Sequence, residues 1–249
     1  MKMTSTNLSG KKAFVGSPYS ALAWLMLSLS GTAQALDIEI SPIVDISNMY
    51  LYRGEDLGQG DAQVSGGVRA SARGFYTGIW ATSASQGEYD LYAGVAYDLG
   101  HNFSVDFSAW TYAYPDDPER DTLGKSSEIF LTFAWKMLSV TAVKNVAGDP
   151  GYSYFAFAGS YRQFTATLGL GNPDTTRDVL SNEVTADNYA GYAKTDYVHL
   201  DLTYAYNDRL RFTLSQVVAQ DDLTVGDVKY THLHDDALLF ALAYSLPLK

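Results

Sequence analysis

Glu88-Tyr89-Asp90-Leu91-Tyr92-Ala93-Gly94-Val95-Ala96-Tyr97-Asp98-Leu99 is the stretch of sequence that decides the fold. Its odd-numbered positions are all apolar or aromatic, whereas its even-numbered positions include three acidic residues. After a break at residues 100–102, residues 103–109 alternate in the same way. Alternation with a period of two predicts β-strands, and two such runs joined by a tight turn predict a β-hairpin. About ten tilted residues also suffice to cross a bilayer as a strand.

The same alternation recurs along most of the chain and predicts twelve strands. They cover residues 37–53, 62–73, 75–83, 88–99, 103–114, 127–135, 139–146, 152–161, 164–171, 195–206, 209–218 and 237–248. The orientation of the third strand stays open, because both of its faces are partly apolar.

The connections between these strands are of two kinds. Short turns lie near residues 74 and 101, whereas long polar loops cover residues 115–125, 172–194 and 219–236. Short turns at one edge and long loops at the other are typical of outer-membrane barrels, in which the short edge is periplasmic. The pattern therefore predicts an all-β fold, a transmembrane antiparallel β-barrel of about twelve strands whose loop 172–194 is external.

The first 35 residues have the features of a cleaved signal peptide. Lys11 and Lys12 give a positive start, residues 21–29 form a short apolar centre, and Ala33-Gln34-Ala35 offers a small-residue cleavage site. Such an apolar centre is too short to span a bilayer as a helix. We therefore predict a signal peptide at residues 1–35, export of the chain, and a barrel formed by residues 36–249.

Composition narrows the class of partners. The first 35 residues carry three lysines and no acidic residue, so the predicted mature chain has 14 basic and 28 acidic side chains, a formal charge of −14. This acidity argues against a nucleic-acid partner, which requires a basic patch. The 19 Tyr, 11 Phe and 4 Trp are unusually many for so acidic a chain, and aromatic girdles with acidic loops account for both. Cysteine is absent.

Charged residues at inward positions of the predicted strands are the candidate pore-lining residues. They are Asp45, Arg53, Arg69, Glu88, Asp90, Asp106, Glu128, His199, Asp201 and Arg211. Because both signs are present, a transverse field across the lumen would filter small polar solutes. The alternative is that these groups pair across a filled interior and leave a plugged, structural barrel.

Four segments resemble the TorF-type outer-membrane porins of Gram-negative bacteria. They are Ser47-Asn48-Met49-Tyr50-Leu51-Tyr52-Arg53-Gly54, Gly74-Phe75-Tyr76-Thr77-Gly78-Ile79-Trp80-Ala81, Glu88-Tyr89-Asp90-Leu91-Tyr92-Ala93-Gly94, and the tyrosine-rich stretch at residues 110–115. The resemblance covers most of the predicted mature chain in spacing and is strongest before Trp135. It implies an exported barrel that acts as a porin, and it brings no catalytic motif.

Two other functional classes fit the sequence less well. A lipid hydrolase of the outer membrane needs a His beside a Ser on the lipid-facing wall, but His101 falls in a turn, His199 inside, and His232 and His234 in the last loop. A Gly-x-Ser-x-Gly elbow is also missing, so we predict no catalytic residue. A soluble β-sandwich would have to bury its apolar strand faces against each other, and it would not need the asymmetry of the loops.

The last loop combines histidines and acids, but their spacing is not that of a metal site. These residues are His232, His234, Asp221, Asp222, Asp235 and Asp236. A solvated acidic loop explains them better, so we predict neither a metal nor a cofactor. The sequence as a whole predicts a porin-like channel for passive diffusion of small hydrophilic solutes or ions. Its partners would be outer-membrane lipid and lipopolysaccharide, and association as a homo-oligomer stays open.

Overall fold

The computed structural model describes residues 37–84, 87–118, 120–149, 151–172, 195–225 and 228–248. Within them, twelve strands form one closed antiparallel barrel in which strands adjacent in the chain are adjacent in the sheet. These strands are β1 (Glu39–Ser47), β4 (Gln63–Ala72), β5 (Phe75–Thr82), β6 (Glu88–Gly100), β7 (Phe103–Ala113), β8 (Ser126–Trp135), β9 (Leu138–Ala147), β10 (Ser153–Tyr161), β11 (Phe164–Asn172), β12 (Tyr197–Ala205), β13 (Leu210–Gln220) and β16 (Leu239–Ser245).

Two small hairpins accompany the barrel. One pairs β2 (Leu51–Tyr52) with β3 (Glu55–Asp56), and the other pairs β14 (Leu223–Val225) with β15 (Val228–Tyr230). In the described part of the chain, no helix is both long enough and apolar enough to cross a bilayer.

The predicted antiparallel barrel of twelve strands is confirmed, and most strand ends lie within two or three residues of the predicted ones. The exception is the first strand, which was expected to reach residue 53 but ends at Ser47. After Ser47 the chain leaves the wall and turns into the short hairpin of β2 and β3. The predicted signal peptide and most of loop 172–194 lie outside the described residues and stay predictions.

The strands present one apolar face outward and one polar face inward, as successive side chains of a strand must. On β6, Tyr89 is 57 % exposed on the outer surface, whereas its neighbours Glu88 and Asp90 are 2 % and 6 % exposed inside. The open orientation of the third predicted strand is resolved in the same way, because Tyr76 is buried inside and Phe75 is exposed outside.

The short turns of this wall lie at one end of the barrel. Arg73 and Gly74 of the β4–β5 turn both have positive φ, 51° and 87°, as two-residue hairpins require. Exposed aromatic residues gather near this end. They are Phe75, Tyr97, Phe103, Trp135, Tyr161, Phe164, Tyr206 and Tyr244. A ring of aromatic side chains at one end of an apolar wall is typical of a membrane interface.

The seam between the first and last strands is short and is reinforced by a side chain. β1 and β16 pair over only three residues, from Asp45 opposite Ser245 to Ser47 opposite Ala243, whereas every other pair of barrel strands shares six or more. The amide of Asn48 extends the seam, since its Nδ2 donates to the carbonyl of Phe240 at 2.9 Å and its Oδ1 accepts from a backbone N–H of β16 at 2.7 Å.

Candidate functional site

Residues 48–61, which connect β1 to β4, form an inner hairpin that folds into the lumen at the end with the long loops. Its tip is a tight turn in which Arg53 and Gly54 have φ of 51° and 87°. Two successive residues with positive φ are the mark of a type I′ hairpin turn. A Cβ on Gly54 would lie 2.6 Å from the Cβ of His199 on the barrel wall, so only glycine allows this approach.

Arg53 anchors the inner hairpin to the wall. Its two terminal nitrogens donate to both carboxylate oxygens of Glu128 at 3.0 and 2.8 Å, and both side chains are 8 % exposed. The guanidinium also lies over the rings of Tyr52 and Tyr154, with its carbon 4.6 and 4.8 Å from their centroids. The hydroxyl of Tyr112 donates to Glu128 as well, at 2.9 Å. A bidentate pair within aromatic rings is among the stronger contacts that an Arg makes.

On one side the inner hairpin packs directly against β12 and β13. His199 is fully buried there, with its Nε2 2.9 Å from the hydroxyl of Tyr154 and its Nδ1 3.0 Å from Asp201. The hydroxyl of Ser215 donates to Asp201 at 2.6 Å. This is not a hydrolytic triad, because the serine bonds to the aspartate and not to the histidine. Gly169 on β11 makes room for the imidazole, since a Cβ there would overlap it.

A second histidine contacts the inner hairpin next to its tip. His234 is 1 % exposed; its Nδ1 lies 2.9 Å from Glu55 and its Nε2 2.8 Å from the backbone oxygen of Thr195. His232, by contrast, is exposed and lies 3.3 Å from Asp236. The histidines and acids of the last loop are therefore divided between the barrel interior and its surface. Among the described residues, no group of three or more His, Asp or Glu is arranged to hold a metal ion.

Beside the inner hairpin and along β5 to β9 lies a cavity of about 610 Å³. Its lining includes six carboxylates and two guanidinium groups. These are Glu55, Glu88, Asp90, Asp106, Glu128 and Asp149, with Arg53 and Arg120. Aromatic side chains line it as well, and they are Tyr50, Tyr52, Tyr76, Trp80, Trp110, Tyr112, Tyr114, Phe130, Tyr152 and Tyr197. The cavity is thus acidic in its formal charge and rich in aromatic surface.

The carboxylate of Glu88 receives two phenol hydroxyls at the end with the long loops. Tyr50 of the inner hairpin donates to its Oε2 at 3.0 Å, and Tyr114 donates to its Oε1 at 3.2 Å. Burial raises the pKa of both phenols, and the negative charge of Glu88 raises it further. Tyr50 and Tyr114 therefore stay protonated at ordinary pH and act as donors.

Half of the predicted pore-lining residues meet in this cavity. Arg53, Glu88, Asp90, Asp106 and Glu128 all line it. Arg53 reaches it from the tip of the inner hairpin, however, and not from the first strand, where the alternation placed it.

The other five candidate residues lie elsewhere along the wall. His199 and Asp201 belong to the packed network behind the inner hairpin. Asp45 accepts a hydrogen bond from Ser245 beside the seam, and the guanidinium of Arg69 lies 3.9 Å from the ring centroid of Tyr76. Arg211 is exposed near the end with the short turns. That these residues line a conducting path remains a prediction.

Alternation in the sequence did not predict the inner hairpin or the aromatic lining of the cavity. Residues 49–52, Met-Tyr-Leu-Tyr, break the period of two with four consecutive apolar side chains. The next two residues, Arg53-Gly54, provide the glycine that a tight turn needs. These two signals together mark a point where the chain leaves the wall.

Comparison with known proteins gives a family and several solved structures. A family model described as "Bacterial protein of unknown function (Gcw_chp)" matches residues 32–244. No curated protein matches the chain. One similar solved structure is the KdgM porin in complex with disordered oligogalacturonate, at 9 % sequence identity and a TM-score of 0.44, with 85 % of this chain and all of that chain covered. The match of the family model, which covers nearly the whole barrel, shows that the chain belongs to the Gcw_chp family of bacterial proteins.

Proposed function

We propose that this protein is an outer-membrane channel for passive diffusion of small hydrophilic solutes or ions, narrowed by its inner hairpin. One observation supports the proposal above all others. A closed barrel carries apolar side chains on its outer face and holds, inside, a cavity of about 610 Å³ lined by charged residues. Turnover chemistry and a cofactor have no part in this proposal.

The outer face supports a location within a bilayer. Strand residues such as Ile79, Leu131 and Leu200 are exposed there by 58 %, 36 % and 48 %. Exposed apolar side chains all round a barrel in water would promote aggregation, whereas contact of the same side chains with lipid hydrocarbon is energetically favourable. A closed barrel also pairs its backbone groups between strands, as a segment within lipid must.

The lumen supports a polar path. Acidic side chains outnumber basic ones on the cavity wall, and both basic groups already have acidic partners, Arg53 with Glu128 and Arg120 with Asp117. Such a lining favours small polar solutes and, among ions, cations. The TorF-type family and a Gram-negative outer membrane with its lipopolysaccharide belong to the same proposal. Association of barrels stays open.

The second candidate function is that of a plugged, structural barrel. It is favoured by the bidentate pair between Arg53 and Glu128 and by the close packing of Gly54 on His199, which hold the inner hairpin in the lumen. In this case the cavity would be a closed chamber.

Conductance in planar bilayers decides between the two. We expect the purified wild-type barrel to give stepwise openings, and a variant with residues 49–60 replaced by a short Gly-Ser linker to give openings at least twofold larger. If the wild type is silent and the shortened variant conducts, the barrel is plugged. If both are silent, the channel proposal is wrong. As a check on the lining, Asp106→Asn should lower the preference for cations. Asp45→Asn tests the separate prediction that the path also passes Asp45, and it should shift the selectivity in the same direction.

A further inference from the structure

One carboxylate oxygen in the cavity has no partner. Asp90 is 6 % exposed and lines the cavity, and among the described residues its Oδ1 is buried without a hydrogen bond. Glu88, two residues away on the same face of β6, already accepts from two phenols. The other oxygen of Asp90 is hydrogen-bonded to Glu88, but a buried carboxyl oxygen without a donor is still costly, because it has lost water and gained nothing in return. The position of this oxygen therefore suggests a ligand that carries positive charge.

The surroundings of Asp90 are aromatic. In the sheet, Trp80 on β5 and Tyr112 on β7 lie directly opposite Asp90 on its two sides, so that all three point into the lumen. Tyr50 of the inner hairpin adds a third ring, tilted by 46° to the indole of Trp80 with 6.0 Å between their centroids. Directly opposite residues of neighbouring strands are close enough for their side chains to share one ligand.

This combination suits an organic cation better than a metal ion. An inorganic cation needs several oxygen ligands at short distance, and the described residues offer no group of three acids or histidines for one. An alkylammonium ion is weakly hydrated, and aromatic faces attract it at up to about 6 Å. The two guanidinium groups of the cavity, Arg53 and Arg120, are already paired and do not neutralise Asp90.

We propose that Asp90, Trp80 and Tyr112 form a binding site in the lumen for an organic ammonium ion. Asp90 and its hydrogen-bonded neighbour Glu88 together supply the negative charge, the unpartnered oxygen of Asp90 faces the cation, and the two rings cover the alkyl groups. This inference rests on the proposed channel, because the lumen is the route by which the cation reaches the site. It adds a class of solute that the channel recognises.

The test is a titration of the purified barrel in detergent micelles with tetramethylammonium chloride, followed by calorimetry. Potassium chloride at the same ionic strength is the comparison. We expect saturable binding of tetramethylammonium and none of potassium. Asp90→Asn and Trp80→Leu should each weaken the binding at least tenfold. The matched control is Asp98→Asn on the same strand, because Asp98 is exposed and already accepts from the backbone N–H of Gly100; this variant should bind as the wild type does.

Three results would overturn the site: no saturable binding by the wild type, equal binding by the variants of Asp90 and Trp80, or potassium binding as tight as that of tetramethylammonium. Either variant alone suffices for the decision if the other does not fold. The binding experiment is independent of conductance. Openings in bilayers without binding would remove the site and leave the channel, whereas binding in micelles with silent bilayers would remove the channel and leave the site.

Discussion

At the scale of single residues, the contact between Arg53 and Glu128 is a buried ion pair. Both side chains are almost fully buried, and the bidentate geometry satisfies the carboxylate on both oxygens. Removing one partner of such a pair leaves a charge without water and without a counter-charge. Removing both costs much less, since no orphaned charge remains.

We expect Arg53→Ala to weaken the docking of the inner hairpin by about 3 kcal/mol, because it strands the charge of Glu128. The measurements are urea unfolding and protease cleavage within residues 48–61. The control is Arg120→Ala, whose pair with Asp117 is largely exposed and is worth at most about 1 kcal/mol. A variant with Met at both positions 53 and 128 should recover most of the loss. If Arg53→Ala behaves like Arg120→Ala, the anchor is not at this pair.

Gly54 gives a prediction that separates packing from backbone strain. Alanine at this position would suffer the strain of a positive φ and would also overlap His199, at a combined cost of about 2 to 4 kcal/mol. Gly60→Ala has the same sign of φ, at 92°, but no atom within 4 Å of the new Cβ, so it should cost only about 1 kcal/mol. Urea unfolding of the two variants side by side measures the difference. Equal losses would mean that the hairpin tip does not pack on the wall.

At the scale of elements, alternation predicted the strands well because each of them meets two different media. A residue that faces lipid and a neighbour that faces the lumen cannot exchange places, so a period of two persists through residues 88–99 and 164–171. The inner hairpin has no such division, because it lies inside the barrel, between the wall on one side and the cavity on the other. Alternation therefore placed Arg53 wrongly in the first strand. The residue that Arg53 hydrogen-bonds to, Glu128, is 75 residues away in the chain.

The seam is the shortest pairing in the barrel wall, and the side chain of Asn48 adds two hydrogen bonds to it. We expect Asn48→Ala to remove two hydrogen bonds beside the three paired residues of β1 and β16, and to lower the free energy of unfolding by about 1 to 2 kcal/mol. The temperature at which the folded band disappears from a gel is a direct readout. Asn172→Ala is the control, because Asn172 bonds to Asp196 at the exposed ends of β11 and β12. Identical behaviour of the two variants would exclude a role of Asn48 in closing the barrel.

At the scale of the whole molecule, arginine substitutions at two heights of the barrel wall test where the bilayer lies. Leu131 lies in the middle of β8 and Leu138 at the start of β9 beside a short turn, and both point outward. We expect Leu131→Arg to cost about 2 to 4 kcal/mol in lipid and Leu138→Arg at most about 1 kcal/mol, because the penalty for arginine falls towards the interface. Unfolding in lipid vesicles measures both. Equal costs would mean that the hydrocarbon core of the bilayer is not centred near Leu131.

In the proposed channel, the inner hairpin occupies one mouth of the barrel and leaves the other mouth to the short turns, so different residues line the two entrances. An ion that enters beside the hairpin meets the constriction and the carboxylates Glu88 and Asp90 at once, whereas one from the opposite side meets them last. The proposed channel should therefore rectify. With equal salt on both sides of a bilayer, voltages of opposite polarity should drive currents of unequal size, and the sense of that inequality reports which mouth faces which compartment.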